Sequence, residues 1–470
     1  MITEAPLFGL GLQGKSPNVT ANSLTNAYYE FSAQKDRTSV AIYGTPGLEL
    51  FADKGDTPWR GLRVFGDYIY GVHRGTFYSI NNAGTITSIG TLGTTSGRVD
   101  MTDDGTYIVM VDGSEIYTYN TSTTTFAAVS DADRPASPNT CIFQAGRILT
   151  DEDGTGQFKG GDLYDPTAWN PLDFATAESD PDNLVRIINY RGTVVLFGET
   201  TTEFWSNIGG SGFPYQRILQ ADVEYGLSAR WSVAPFAGTY AYLAKNREGQ
   251  VMVAVLNGYN TPERISNPDL EYLINNYTSV SDATAYSYML GGHPMYQLNF
   301  PTDGKSWLYD ATTKYWSQLT YDNNERHRGE IAVDFINQTI VSDYSNGKLY
   351  KLTPNVYTDN GVTIQTILKG RHLYNQKKKL RFTRLELGYE PATTTDQTAT
   401  PVAGLRISKD GGHSWGTQTF AELGKVGEYK NRCKWPRLGS GRDMVAEITI
   451  AEPIKKVITD CTLILEDGLS

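Results

Sequence analysis

The first segment that could carry chemistry is residues 9–16 (GLGLQGKS), which match the G-x4-G-K-S pattern of phosphate-binding loops. Such a loop must follow a buried strand and open a helix, so that backbone N–H groups converge on the phosphates. Here Pro6 interrupts the short segment before the match, and the residues after Pro17 show no amphipathic period. The segment is therefore interpreted as a glycine-rich arm, and the sequence indicates no cofactor.

Residues 408–415 (SKDGGHSW) fit the Asp-box pattern S-x-D-x-G-x-[ST]-W. Glycines allow positive φ in a hairpin turn, the aspartate accepts backbone N–H bonds across it, and the tryptophan packs beneath. Sialidases carry several such boxes away from their active sites, and this chain has one. The box is therefore predicted to be a structural turn, formed by Ser408, Asp410, Gly412 and Trp415.

Three carboxylates lie together at residues 151–153 (DED), followed by glycines. Calcium would require more oxygen ligands in a defined order, so a solvated loop is the favoured interpretation. The five histidines show no metal-ligand spacing, and no G-x-S-x-G nucleophile elbow is present. The sequence thus predicts no catalytic residue and no metal site.

A basic run stands out near the C-terminus. It is interpreted either as a solvated strand edge, where lysines discourage unwanted pairing, or as a docking face for an acidic neighbour or a phosphate backbone. A solvated edge or protein docking is favoured over direct DNA contact. The candidate residues are Lys377, Lys378, Lys379, Arg381 and Arg384.

The composition of the 470-residue chain limits the classes of protein it could be. Three cysteines are too few for a disulfide framework, and no window approaches the run of about 18 apolar residues of a membrane helix. The N-terminus lacks a basic region before its apolar residues, so we expect no secretory signal. Residues 361–470 carry a net charge of +5 and the rest −16, which makes the whole chain a poor nucleic-acid binder.

A repeat of paired strands organises the middle of the chain. The 47 glycines and 30 tyrosines of the sequence indicate short strands joined by tight turns. Hairpins recur every 39–55 residues, which is near the period of a four-stranded propeller blade. The pattern predicts seven blades, with six as the alternative and a pair of β-sandwiches as the competing fold. The first strand of each hairpin starts at residues 68, 107, 147, 194, 240, 295 and 338.

The two ends of the chain do not follow this repeat. Residues 1–48 are predicted to be an extended N-terminal arm, and residues 49–360 the β-propeller. Residues 361–470 contain five alternating segments and are predicted to form a β-sandwich that makes ring or adaptor contacts. The predicted class is therefore all-β.

Several segments together resemble the tail hub family of short-tailed bacteriophages, also called the packaged-DNA stabilisation or tail nozzle protein. The resemblance spans nearly the whole chain, although each motif is short. The segments are residues 43–48 (YGTPGL), 59–62 (WRGL), 68–72 (YIYGV), 198–205 (GETTTEFW), 225–226 (YG), 406–411 (RISKDG) and 434–439 (KWPRLG).

This resemblance implies a structural virion protein rather than an enzyme. The family forms a hexameric ring below the portal and adaptor, extends the DNA channel, retains packaged DNA and conducts it at ejection. The implied partners are the adaptor or portal-side head-completion protein, a tailspike or tail fibre, a needle or plug, and passing double-stranded DNA read without sequence specificity. The implied location is the virion tail, after assembly in the host cytoplasm.

Two hypotheses extend this interpretation. In the first, the arm over residues 1–48 and the sandwich make the ring contacts, because an arm of that length could reach a neighbouring subunit. The second is the alternative function, a carbohydrate-binding or carbohydrate-active propeller. It would be favoured by arginines and carboxylates that converge at the propeller's central mouth.

Overall fold

The computed structural model describes residues 2–6, 15–16, 18–31, 40–177, 180–210, 212–219, 221–375, 378–390, 400–425, 427–428 and 431–467. Within these ranges the chain is almost entirely β-structure. It has one short α-helix, α1 (Pro268–Ile274), and a 3-10 turn at Asp322–Asn324. Asn267 is the N-cap of α1, and its side chain accepts a hydrogen bond from Leu270 N–H. The tertiary fold is therefore a matter of how strands pair.

The N-terminal strands are extended, but they pair within their own chain. β1 pairs with the last strand, β2 bridges two other strands, and β3 and β4 form a hairpin on the edge of a C-terminal sheet. The described part of the predicted arm over residues 1–48 therefore belongs to the domains of this chain. These strands are β1 (Ile2–Pro6), β2 (Ser23–Thr25), β3 (Ala27–Phe31), β4 (Val40–Gly44) and β5 (Gly47–Asp53).

Blades 1 to 4 of the propeller are regular four-stranded antiparallel sheets in sequence order. Their strands are β6 (Trp59–Phe65), β7 (Tyr68–His73), β8 (Thr76–Ile80), β9 (Ile86–Thr91), β10 (Asp100–Asp103), β11 (Tyr107–Val111), β12 (Ile116–Asn120), β13 (Thr125–Ala128), β14 (Cys141–Gln144), β15 (Arg147–Asp151), β16 (Gln157–Asp162), β17 (Asp165–Thr176), β18 (Leu184–Tyr190), β19 (Thr193–Gly198), β20 (Thr202–Asn207) and β21 (Tyr215–Arg217).

Blades 5 to 7 complete the ring with small departures from this plan. In blade 5 two short strands, β22 and β23, share the innermost position beside β24. The strands are β22 (Gly226–Leu227), β23 (Ala234–Phe236), β24 (Thr239–Lys245), β25 (Val251–Asn257), β26 (Asn260–Arg264), β27 (Thr284–Leu290), β28 (His293–Phe300), β29 (Lys305–Asp310), β30 (Tyr315–Leu319), β31 (Gly329–Phe335), β32 (Gln338–Asp343) and β33 (Lys348–Thr353).

The propeller closes through an N-terminal strand. β5 pairs antiparallel with β33 and supplies the outer strand of blade 7, so the first and last parts of the propeller sequence share one sheet. Each of the seven predicted strand starts falls at the second strand of a blade, within the described residues. The predicted class of seven-bladed propeller with a C-terminal sandwich is confirmed, and the six-blade alternative is wrong.

The C-terminal sandwich is continuous with the propeller. Blade 6 extends through β30 and β2 into one sandwich sheet, ordered β36-β42-β39-β40, and the other sheet is ordered β3-β4-β43-β38-β41. Leu385, Leu405 and Ile448 fill the core between them. The remaining strands are β34 (Thr358–Asp359), β35 (Val362–Thr363), β36 (Thr366–Lys369), β37 (Leu373–Tyr374), β38 (Leu380–Tyr389), β39 (Val402–Ser408), β40 (Thr419–Glu422), β41 (Cys433–Gly441), β42 (Asp443–Ile450) and β43 (Val457–Asp467).

Candidate functional site

The basic residues of the C-terminal run lie on the outer face of a sandwich sheet. Along β38 the side chains of Leu380, Phe382, Leu385 and Leu387 are buried, because alternate residues of a strand point to opposite faces. A register shift between Phe382 and residue 384 interrupts this alternation. The residues left on the solvent side, called the basic stripe below, are Lys378, Lys379, Arg381, Arg384, Lys434 and Arg437.

Carboxylates neutralise the middle of the basic stripe. Arg384 Nε lies 2.7 Å from Glu386 Oε1, and Arg432 Nε lies 3.1 Å from Glu386 Oε2. Burial alone would lower the pKa of Arg432, but the hydrogen bonds that it donates to Asp460 and Glu386, together with their charges, raise it. Of the predicted patch, Lys378, Lys379 and Arg381 are exposed, while Lys377 lies outside the described residues. Exposed positive charge therefore lies at the start of β38 and, through Lys434 and Arg437, on the neighbouring strand β41.

The Asp-box segment forms a tight turn after β39. Ser408 Oγ donates to Asp410 Oδ1 at 2.7 Å, and the N–H groups of Gly412 and Ser414 donate to Ser408 Oγ and Asp410 Oδ1. Hydrogen bonds from Ser414 and Ser408 hold the pKa of Asp410 well below its usual range. Trp415 is half-buried and packs beside cations, with Arg406 and Lys369 each 5.6 Å from its ring centre.

The acidic loop after β15 differs from the expected solvated loop. Asp151 is fully buried, and its Oδ1 accepts N–H bonds from Asn139 and Thr140, while burial raises its pKa to about 6. Glu152 accepts from Ser137 N–H, and Asp153 forms an ion pair with Arg230, which lies between β22 and β23 of blade 5. The three carboxylates thus point to different partners. Among the described residues no cluster of metal-ligating side chains is found.

The innermost strands of all seven blades enclose a central cavity of about 680 Å³. At one end Arg63 forms a 2.6 Å ion pair with Asp103, beside the exposed Asp334. At the other end the cavity is lined by Arg98, just before β10 of blade 2, and by Arg186, in β18 of blade 4. Both guanidinium groups face Trp231, whose ring centre lies 5.1 Å from Arg98 and 4.9 Å from Arg186.

The sequence did not predict this cavity, because its lining comes from separate segments of the chain, contributed by all seven blades. The signal that could have found it is weak: a charged residue within two positions of the start of several first strands. Arg98, Arg186 and Glu330 occupy such positions beside β10, β18 and β31. The spacing of the hairpins along the sequence predicts the number of blades, but it does not show which of these side chains point toward the central axis of the propeller.

Two family models match the chain in succession. The model described as the β-propeller of bacteriophage P22 Gp10 matches residues 14–357, and that described as the β-sandwich of the same protein matches residues 365–466. A curated relative, the tail hub protein gp10 of Salmonella phage P22, is 24% identical over 349 residues. That alignment covers 68% of this chain and 69% of the relative.

Two solved structures give lower similarity. A computationally designed protein called Ika8 aligns with 74% of this chain and 100% of its own, at 11% identity and a TM-score of 0.40. A chain of the mitotic checkpoint complex aligns with 69% of this chain and 96% of its own, again at 11% identity and a TM-score of 0.40. Within the described ranges, no helix is both long and apolar enough to span a bilayer.

Proposed function

Since this chain belongs to the bacteriophage P22 Gp10 family, a tail hub family of short-tailed phages, we propose that it forms a hub ring in the virion tail. The ring extends the DNA channel below the portal and adaptor, retains packaged DNA, and conducts it at ejection. The observation that carries the proposal is the match of both domains, in order, to the two Gp10 family models. We assign the chain a structural role and no catalytic residue.

The dimensions of the propeller favour a channel formed between subunits. If the central cavity of about 680 Å³ spans four residues of each inner strand, its length is roughly 14 Å and its mean width about 8 Å. The major groove of DNA alone is about 12 Å wide, so a duplex does not fit through one propeller. A DNA conduit built from this chain therefore requires several copies around a common axis.

The distribution of charge supports a contact between unlike surfaces of neighbouring copies. Residues 361–470 carry a net charge of +5, and the other 360 residues carry −16. The exposed Lys378, Lys379 and Arg381 of the basic stripe could meet an acidic propeller surface on the next copy. A head-to-tail contact of this kind closes into a ring when the rotation between adjacent subunits is 360° divided by a whole number.

The remaining partners follow from the family and are part of the proposal. An adaptor or portal-side head-completion protein would bind one end of a hexameric ring, and a needle or plug the other. A tailspike or tail fibre would bind its outer surface. The net negative charge of the chain suits a conduit, because it repels the phosphates of passing DNA and limits adhesion. Assembly would take place in the host cytoplasm.

Electron microscopy of the purified chain, alone and mixed with virion tails that lack this component, tests the proposal. We expect sixfold rings with a central opening wide enough for a DNA duplex, and their incorporation into the tails. Particles that remain monomeric at high concentration and do not join the tails would contradict it.

One observation favours the carbohydrate-binding alternative. Arg63, Arg98 and Arg186 converge on the propeller's central cavity together with Asp100 and Asp103. Each of these two carboxylates lies within 4 Å of an arginine, and Asp100 also accepts Cys141 N–H. The arrangement thus suits binding better than the paired acid and base of glycoside hydrolysis. A glycan array probed with the purified chain would test this alternative.

A further inference from the structure

The end of the central cavity that is lined by Arg98 and Arg186 has an excess of positive charge. Arg98 Nη1 lies 3.7 Å from Glu330 Oε1, but Glu330 Oε2 is also bound by Arg326 at 2.8 Å. Arg186 Nη2 lies 3.6 Å from Asp100. Three guanidinium groups therefore share two carboxylates in the interior of the propeller.

Part of the hydrogen-bonding capacity of these arginines is also unused, although Arg186 Nη1 donates to the backbone carbonyl of Arg230 at 3.1 Å. Arg98 Nη1 and Arg186 Nε are buried and have no acceptor among the described residues. The Asp100 and Glu330 contacts, at 3.6 and 3.7 Å, exceed the length of a charged hydrogen bond. A buried charge without a close partner is costly, and burial together with Arg186 lowers the pKa of Arg98. The site thus lacks a negative group.

Trp231 fixes the position of both guanidinium groups. Its ring centre lies 5.1 Å from Arg98 and 4.9 Å from Arg186, and both distances are within the range of cation–π attraction. Because the ring holds both cations in place before any ligand arrives, binding needs little reordering of long side chains. The accessible part of Arg98, 22% of its side chain, faces the cavity.

We propose that this end of the central cavity is a binding site for a small molecule that carries one oxyanion group, a carboxylate or a phosphate. The planar N–H groups of Arg98 and Arg186 bind the oxyanion, as guanidinium groups commonly do. The body of the ligand occupies the rest of a cavity whose volume falls in the range of small-molecule sites. This site is independent of the proposed tail function.

Calorimetric titration of the full chain with inorganic phosphate and, separately, with acetate tests the proposal and distinguishes the two oxyanions. Sodium chloride keeps the ionic strength constant. We expect saturable binding of at least one of them, with a Kd below about 1 mM. The absence of saturable binding by both probes would overturn the proposal.

Paired variants locate the site. Arg98→Gln removes a cavity guanidinium that lacks a close partner, and we expect it to weaken binding at least tenfold. Arg63→Gln is the control, because Arg63 lines the same cavity but is already bound to Asp103 at 2.6 Å. If Arg98→Gln does not fold, Arg98→Lys takes its place, with at least threefold weaker binding expected. Equal affinity in the Arg98 and Arg63 variants would overturn the assignment.

Discussion

Glu30 Oε2 in strand β3 lies 2.8 Å from His293 Nε2 in strand β28, although the two residues are 263 positions apart. The other ring nitrogen of His293 lies 2.8 Å from Asp310 Oδ2. One imidazole thus connects an N-terminal strand of the sandwich to blade 6 of the propeller. Because only the protonated ring donates from both nitrogens, this connection depends on pH.

Replacement of His293 should destabilise the protein more in acid than in base. Burial alone would lower the pKa of His293, but the hydrogen bonds and charges of Asp310 and Glu30 raise it. Its contribution to stability is therefore full below the unfolded value of about 6.5 and is lost as the pH rises through the folded pKa. We expect His293→Gln to cost about 2 kcal/mol at pH 5.5 and clearly less at pH 8.5. Guanidinium unfolding monitored by circular dichroism measures both.

His73 provides the control for this prediction. Burial lowers its pKa, and its Nε2 lies 2.9 Å from Thr57 Oγ1. Here the neutral ring is the stabilising form, so its contribution is present above about pH 6.5 and is lost as the pH falls through the folded pKa. His73→Gln should therefore cost more at pH 8.5 than at pH 5.5. The same pH trend in both variants would argue against the roles assigned to these two histidines.

The closing strand of the propeller provides a second prediction. In β5 the side chain of Leu48 is 1% exposed and that of Leu50 is 50% exposed. Leu48→Ala leaves a cavity where β5 pairs with β33, so we expect a loss of about 2–5 kcal/mol in the free energy of unfolding. Leu50→Ala in the same strand should change it by less than about 0.5 kcal/mol. Thermal unfolding of the two variants gives the comparison, and similar losses would contradict the importance of this closure.

The sequence predicted the propeller because each blade repeats a local pattern, a hairpin of alternating residues joined by a tight turn. The same reasoning failed at β5. Its seven residues carry no mark that they pair with β33, about 300 positions later. The prediction of an arm over β2 to β4 fails for a similar reason, since their partners in β36 and β43 are even more distant along the chain. Local periodicity predicts strands and turns, but long-range pairing depends on the complete fold.

The candidate sites show the same difference between local features, which the sequence predicts, and long-range contacts, which it does not. The Asp-box turn could be predicted because the hydrogen bonds of Ser408 and Asp410 that shape it lie within residues 408–414. Asp151 was expected to be solvated, because a run of charged residues is usually exposed. It is buried instead, because it accepts hydrogen bonds from the backbone N–H groups of Asn139 and Thr140, which directly precede strand β14. Whether a charged side chain is buried depends on its neighbours in the folded structure, and the local sequence does not show which residues these are.

A buried pair near the domain junction provides a third prediction. Burial raises the pKa of Asp359 to about 7 and lowers that of Lys456 to about 8. Without the Lys456 charge the pKa of Asp359 rises further. Above pH 7 the Asp359 carboxyl of the Lys456→Met variant therefore keeps its proton in the folded state and releases it in the unfolded state. The deficit in unfolding free energy should grow with pH above 7, by up to about 1.4 kcal/mol per unit.

The adjacent lysine serves as the comparison for that experiment. Lys455 is 42% exposed and lies 2.9 Å from Glu390, so Lys455→Met should cost about 0–1 kcal/mol. Its effect should not increase between pH 6.5 and 8.5, because the hydrogen bond to Glu390 raises the pKa of Lys455, which therefore keeps its charge throughout that range. Denaturant titrations at the two pH values measure both variants. A pH-independent effect of Lys456→Met would exclude the coupling to Asp359.

The basic stripe carries the last prediction, which rests on the proposed ring. The triple variant Lys378→Glu, Lys379→Glu, Arg381→Glu reverses exposed charge that would face an acidic neighbouring copy. We expect it to raise the protein concentration needed for ring formation at least tenfold, as measured by mass photometry. Ring formation by the unmodified chain should weaken between 0.1 and 1 M salt, because the Debye length falls from about 10 to 3 Å.

A second triple variant separates a local contact from the effect of total charge. Lys54→Glu, Lys314→Glu, Lys351→Glu makes the same change in net charge at propeller residues that are exposed or half-exposed. If the basic stripe binds the next subunit, this control assembles like the unmodified chain and the stripe variant does not. Equal loss in both variants would indicate that general repulsion opposes assembly. Normal assembly of the stripe variant would place the subunit contact on another surface, while rings would still support the tail hub function.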